Sequence, residues 1–194
     1  MKVITLIRRD KINLERNFSV TLSICVLSIL LRIIIFVLNS NGIYVQGTNF
    51  SQDIINLTIN TIILLSVTRI IMYKLKDRTL KTLTVICVTF LIVSNFCWWL
   101  IIDSDATYTA FYSPNRNEEF VVKETHHSEV YQLLKFKILA KKRVDISGDD
   151  GYRMFYEDTY KLEWLDHHKL KIHYLFDPIS PNDYKNVTVT YKEY

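Results

Sequence analysis

The chain has 194 residues, a net charge of +4 and 49% hydrophobic residues, with 24 Lys plus Arg against 20 Asp plus Glu. A soluble single domain spreads such a composition along its length, whereas here the apolar residues gather in the first half and the charges in the second. The three cysteines, Cys25, Cys87 and Cys97, all fall in the apolar half, which excludes a disulfide-stapled module for the rest.

Residues 1–17 carry Lys2, Arg8, Arg9, Lys11 and Arg16 and read as a basic cytoplasmic tail. Three apolar runs follow, at about 18–38, 54–72 and 83–102. Each is close to the roughly 20 residues that cross a ~30 Å hydrocarbon core at ~1.5 Å per residue. The stretch Leu27 to Leu38 is apolar nearly all round, which in a protein of this size points to lipid rather than a soluble core as its neighbour. A cleaved signal peptide fits the first run poorly, because the run is too long and no small-x-small cleavage site follows it.

A second basic group, Lys74, Lys76, Arg78 and Lys81, separates the second and third runs, while residues 39–53 contain no Lys or Arg. All nine of these flanking cations thus lie on one side of a membrane, and the positive-inside rule predicts a cytoplasmic N-terminus with residues 104–194 extracytoplasmic. Trp98 and Trp99 are expected at the outer interface, with Asp103 and Asp105 beyond them in water, and Arg69 and Lys74 at the inner one. The outer region holds 13 basic against 15 acidic residues, so the net charge belongs to the membrane's inner face and does not indicate nucleic acid.

Within the spans, Arg32, Asn60 and Asn95 fall at a common depth, roughly 9 to 11 Å below the outer boundary. An intramembrane arginine costs about 2.5–3.5 kcal/mol on insertion scales, so it needs a partner, and Asn56 and Asp53 offer themselves. The expectation is an interhelical polar cluster of Arg32, Asn56, Asn60 and Asn95; the alternative is that Arg32 snorkels to the outer headgroups. Too few buried acids exist for a proton relay, which argues against a transporter or channel acting alone.

From Asp103 onward the pattern is that of strands. Residues 108–112 and 119–125 are β-rich runs joined by Ser113-Pro114-Asn115-Arg116-Asn117, and Val130, Leu134, Phe136 and Ile138 share a parity in the next run. A strand at 143–147 is expected to turn at Gly148-Asp149-Asp150-Gly151 into another at 152–156. The clearest hairpin puts Leu162 and Trp164 on one strand and Leu170, Ile172 and Tyr174 on the other, linked by Asp166-His167-His168. A last strand covers 187–191. The fold class is therefore membrane α plus β: a three-helix transmembrane bundle, then six or seven short strands in an antiparallel meander, closed as a small sandwich or a curled sheet. Ten of the twelve tyrosines lie here and supply amphipathic bulk for a thin core.

The order of three spans, the Ser-Pro-Asn turn and the segment Lys161-Leu162-Glu163-Trp164-Leu165-Asp166-His167-His168-Lys169-Leu170-Lys171-Ile172 resembles uncharacterised small membrane proteins of Gram-positive bacteria whose exported domains carry a similar Trp-Asp-Asp/His hairpin. The resemblance covers mainly residues 108–176. It implies location and fold, and brings no activity or site with it. The abundance of Ile, Lys, Asn and Tyr beside four Gly and three Pro is a bias associated with A+T-rich genomes of such bacteria.

Metal-ligand types occur in two groups, His126 and His127 with Glu124 and Glu129, and Asp166, His167, His168 and His173. Adjacent strand residues point to opposite faces and both His pairs fall at turns, so solvated turns are expected, with no metal, cofactor or catalytic residue assigned. Asp149-Asp150 reads as a turn rather than a calcium loop. Three functions fit these features. The favoured one is a non-enzymatic, membrane-anchored module that contacts a protein or envelope polymer outside the cell in a self-protection, sensory or accessory role. The others are an accessory subunit of a larger transporter or secretion complex, and a small metal-binding protein or metal-dependent hydrolase.

Overall fold

The computed structural model describes residues 2–46, 51–180 and 182–193, with side chains described from residue 15 onward except at residue 150. The side chains of Lys2, Arg8, Arg9 and Lys11 thus lie outside the described residues. Chain contacts divide the protein into two units, Met1–Phe36 with Ile54–Trp99 and Val37–Asp53 with Leu100–Tyr194.

Three helices, α1 (Lys2–Ser40), α2 (Gln52–Lys74) and α3 (Arg78–Ile102), are long and apolar enough to cross a membrane. The basic segment 1–17 is helical from Lys2 and runs on into the first apolar run as one helix. No Gly or Pro interrupts the sequence before Gly42, and the Leu, Arg and Lys that punctuate it are good helix formers. Gly42, at φ 70°, reverses the chain after α1, while the Ser40 hydroxyl and the Asn41 side-chain amide both donate to the Val37 carbonyl, at 2.8 and 2.7 Å. Asp77 caps α3 by accepting the Thr79 N–H at 2.7 Å.

In the helical unit α1 and α2 meet along an antiparallel seam. Thr21, Cys25 and Ile35 of α1 and Ile59 and Ser66 of α2 are buried, and the Phe18 and Tyr73 rings lie 4.8 Å apart. No residue of α3 is buried.

The β unit holds eight strands: β1 (Ile43–Val45), β2 (Thr107–Tyr112), β3 (Glu119–Glu124), β4 (Ser128–Leu133), β5 (Leu139–Ile146), β6 (Tyr160–Asp166), β7 (Lys169–Leu175) and β8 (Tyr184–Thr190). They form a five-stranded sheet in the order β1-β5-β4-β3-β2 and a three-stranded sheet β6-β7-β8, with every pairing antiparallel. One core serves both sheets: Phe120, Val122 and Val130 from the first meet Leu170, Ile172 and Val189 from the second. The arrangement is the sandwich rather than the single curled sheet. On the other face of the large sheet, Val121, Tyr131, Leu133 and Ala140 form a smaller core that Tyr44 and Tyr108 cover.

Four details differ from the sequence expectation. Strand β1 arises in the 39–53 segment, so the β unit is not confined to 104–194; its Ile43 pairs with Lys141 and protects the edge of β5. Phe136 and Ile138 are not strand residues on a buried face but are 77% and 56% exposed. A turn closes beneath them through Leu134 N–H to Leu139 O and Lys137 N–H to Leu134 O, both 2.7 Å, so parity counted through 134–138 loses its meaning. Residues 152–156 form turns instead of a strand because the Glu124 carboxylate satisfies the Phe155 and Tyr156 N–H groups at 3.0 and 2.7 Å. Finally, Asp103 is not in water.

Candidate functional site

Asp103 and Asp53 both close on Lys123, whose Nζ lies 2.5 and 2.7 Å from their carboxylates. Lys123 and Asp103 side chains are each 9% exposed and Asp53 is 40% exposed. Burial pulls the Lys123 ammonium down, but the hydrogen bonds it donates to Asp103 and Asp53 outweigh it and hold the group above its ordinary range. For Asp103, burial dominates over Lys123 and raises the carboxyl above its usual value. The triad is satisfied within itself, both carboxylates sharing the one ammonium.

Inside the helical unit the predicted contact of Arg32 with Asn56 is present: the Arg32 Nη1 donates to Asn56 Oδ1 at 2.5 Å. Asp53, the other partner considered, is engaged by Lys123 instead. Among the described residues Asn60 and Asn95 make no hydrogen bond to this pair, and the Asn95 Nδ2 and Trp99 Nε1 atoms are buried without a partner. Trp98 is 69% exposed and Trp99 half-buried. Arg69 and Lys74 are exposed near the end of α2.

The histidines do not form one centre. His126 and His127 occupy the β3–β4 turn, as expected, but Glu124 is fully buried and engaged by Ser128, Phe155 and Tyr156. His127, Glu129 and Asp145 bring their ligand atoms within 4.8 Å of one another. An internal cation already serves them, because Lys142 Nζ lies 2.5 Å from Glu129 and 2.7 Å from Asp145. Burial raises the Glu129 carboxyl, yet the hydrogen bonds from Lys142 and Tyr131 prevail and its pKa falls below the usual carboxylate value. His173 pairs instead with Glu163 on the neighbouring strand, at 2.8 Å.

The residues that do converge surround a pocket of about 290 Å³ lined by Pro114, Asn115, Trp164, Asp166, His167 and Tyr191. Three local features build it. A β-bulge between Trp164 and Asp166 inserts Leu165 as the unpaired residue, so Trp164 pairs with Leu170 while Asp166 pairs with Lys169. Leu165 is pushed out to 50% exposure, and Trp164 packs against Phe120 and Tyr191, edge to face with the latter at 5.8 Å. The hairpin turn is then fixed from both sides, by His168 N–H donating to Asp166 Oδ1 at 2.7 Å and by Tyr191 N–H donating to His168 O at 2.9 Å. From the other sheet, the Ser113-to-Asn117 turn holds Asn115, whose Oδ1 accepts from Ser113 Oγ at 2.6 Å and from Asn117 N–H at 3.2 Å.

Chemically the pocket offers two aromatic surfaces, a carboxylate, an imidazole and an amide. The His168 N–H, with Lys169 beside it, lowers the Asp166 carboxyl below its ordinary value, so it is anionic at neutral pH. Burial, reinforced by the charges of Glu118, Glu193 and Asp166, raises the Tyr191 phenol, which therefore stays protonated. Such a set of apolar walls with a few convergent polar groups suits ligand binding.

Sequence reasoning placed Trp164 and the Asp166-His167-His168 link on one hairpin and Pro114-Asn115 in one turn, but not beside each other. In the sequence Tyr191 carries no mark beyond closing the last expected strand. No protein-family model, curated protein or solved structure matches the chain.

Proposed function

We propose that α1, α2 and α3 anchor the chain in a lipid bilayer with the N-terminus in the cytoplasm, and that the β unit works outside as a non-enzymatic binding module. Its partner is a protein or an envelope polymer, in a self-protection, sensory or accessory role. The observation that carries the binding reading is the aromatic-walled pocket of Trp164 and Tyr191 with Asp166, His167 and Asn115 at its mouth. The orientation is supported by the one-sided placement of the cations that flank the apolar helices. The compositional bias and the hairpin resemblance support a Gram-positive bacterial source.

Reporter fusions test the topology: a phosphatase joined after residue 194 is expected to be active and a green fluorescent reporter dark, and the reverse would sink the orientation. A photo-crosslinking residue at position 167 tests the pocket in intact cells. Its adduct should disappear in Trp164→Ala, whereas equal labelling from position 179, an exposed loop site, would dismiss the pocket as the contact.

An accessory-subunit reading has its own support in α3, which buries no residue and leaves Leu83, Ile86, Phe90 and Val93 exposed at helical spacing. A helix of a larger complex that covers this face should crosslink from position 90.

A further inference from the structure

A second pocket, of about 230 Å³, opens between α1 and α2 and is lined by Asn17, Phe18, Thr21, Arg69, Ile70, Met72 and Tyr73. Arg69 is its only charged wall among the described residues. Among the described residues no carboxylate lines the pocket and Arg69 has no protein partner. The residue sits about 7 Å from the end of α2 at ~1.5 Å rise per residue, within the length an arginine covers when it reaches the edge of a bilayer. An unpaired guanidinium on a membrane-spanning helix needs an anion, and its planar fork fits phosphate oxygens in pairs.

The rest of the wall suits the same ligand. Thr21 is buried and its hydroxyl donates to the Asn17 carbonyl at 2.8 Å, so it acts there as an acceptor only. Donors toward the pocket are therefore Arg69, the Tyr73 phenol and the Asn17 amide, while Phe18, Ile70 and Met72 are apolar. The 4.8 Å contact between the Phe18 and Tyr73 rings fixes one wall. Arg16 and Lys74, both exposed, add positive charge beside it. We infer that this pocket is a binding site for the phosphodiester of an anionic phospholipid, held between α1 and α2 by Arg69 with Tyr73 and Asn17. A guanidinium that only reaches the headgroup layer would exchange lipids without preference; the helix-to-helix pocket gives one retained lipid per chain.

This inference rests on the membrane-spanning reading, and the two are separable by experiment. The full chain, purified in detergent, is titrated with phosphatidylglycerol or phosphatidylcholine and observed by native mass spectrometry. One phosphatidylglycerol should be retained in preference to phosphatidylcholine, and Arg69→Leu should weaken it by about tenfold or more, the worth of a charge-assisted hydrogen bond. Arg69→Lys keeps the charge without the fork and should fall between the two, with helix content by circular dichroism confirming that each variant is folded. Equal retention in wild type and Arg69→Leu would overturn the site. So would displacement of the lipid by millimolar inorganic phosphate, which would assign the pocket to free phosphate. An alkaline carbonate wash of membranes reports on the underlying reading: release of the chain rejects membrane spanning, whereas a chain that stays embedded without lipid preference rejects the pocket alone.

Discussion

The two units treat the same kind of side chain in opposite ways. On the helices Leu27, Phe36 and Phe90 are 69%, 70% and 70% exposed, while in the sheets Phe120, Val121, Val122 and Val130 are wholly buried. Leaving apolar surface in water costs about 25 cal/mol per Å², so helices with this exposure are suited to a solvent other than water. Polar groups show the inverse. The β unit buries Lys123, Glu124 and Gln132 and surrounds each with partners, whereas the described helical residues place few polar side chains in their seam and unite only Arg32 with Asn56. Burial against protein in one unit and exposed apolar helices long enough to cross a membrane in the other are the same side chains put to opposite use.

The largest expected effect tests whether the β unit depends on its own core. Phe120 is fully buried and contacts the Phe111, Trp164 and Tyr191 rings. Phe120→Ala should cost about 3–5 kcal/mol of β-unit stability. Denaturant unfolding followed by Trp164 emission, in a chain with Trp98 and Trp99 changed to Phe, would measure it. Helix content should be retained; loss of both together would break the contrast.

Next comes Lys123→Met, which strands Asp53 and Asp103 without their cation. A discount for the partial exposure of Asp53 gives about 2–3 kcal/mol. Changing both acids to Asn in the same chain should recover most of the loss. Because the folded Lys123 pKa lies above its ordinary 10.5, its contribution is complete below that pH and is lost as the pH rises through the folded value. A stability profile that is flat through the alkaline range would contradict the triad. In the helical unit the effect is smaller: Arg32→Leu should weaken α1–α2 association by about 0.6–2 kcal/mol, read by crosslinking in detergent or by thermal unfolding. An unchanged association would mean that Arg32 only snorkels.

How far these sites were legible follows from the distance over which each is specified. The helices and the β6–β7 hairpin were readable because composition and period-2 alternation are local; Leu170, Ile172 and Tyr174 are buried as the parity demands. Arg32 and Asn56 were readable because depth along a helix follows from counting. The partner exchange at Asp53 was not, since Lys123 lies far along the chain and carries no local mark of its role. Nor was the pocket, which requires a bulge at Leu165 and the meeting of Asn115, Trp164 and Tyr191 from separate turns and strands. Val45 and its neighbours were missed as a strand because β1 is only three residues long and is held by β5 rather than by its own propensity.

The smallest effect concerns the His127, Glu129 and Asp145 group, where the β unit either holds its own cation or takes one from solution. Lys142 places its ammonium against both carboxylates, while His127 is 51% exposed and 3.6 Å from Glu129. His127→Ala should therefore shift stability by no more than about 0.5 kcal/mol, as expected of an exposed side chain. Zinc at equimolar concentration should leave the unfolding temperature unchanged, because a metal would first have to displace the lysine. A zinc-dependent rise that vanishes in His127→Ala would revive the metal-binding reading. Acid offers the complementary measurement. Glu129 has its folded pKa below its ordinary 4.5, so the stability it contributes is complete above that pH and is lost as the pH falls through the folded value. Lys142→Met should shrink this part of the acid transition, leaving burial of Glu129 opposed by the Tyr131 hydrogen bond and the charge of Lys123. If the transition is untouched, the Lys142 contact is a surface ion pair of no consequence, and the β unit satisfies its charges less completely than its buried residues imply.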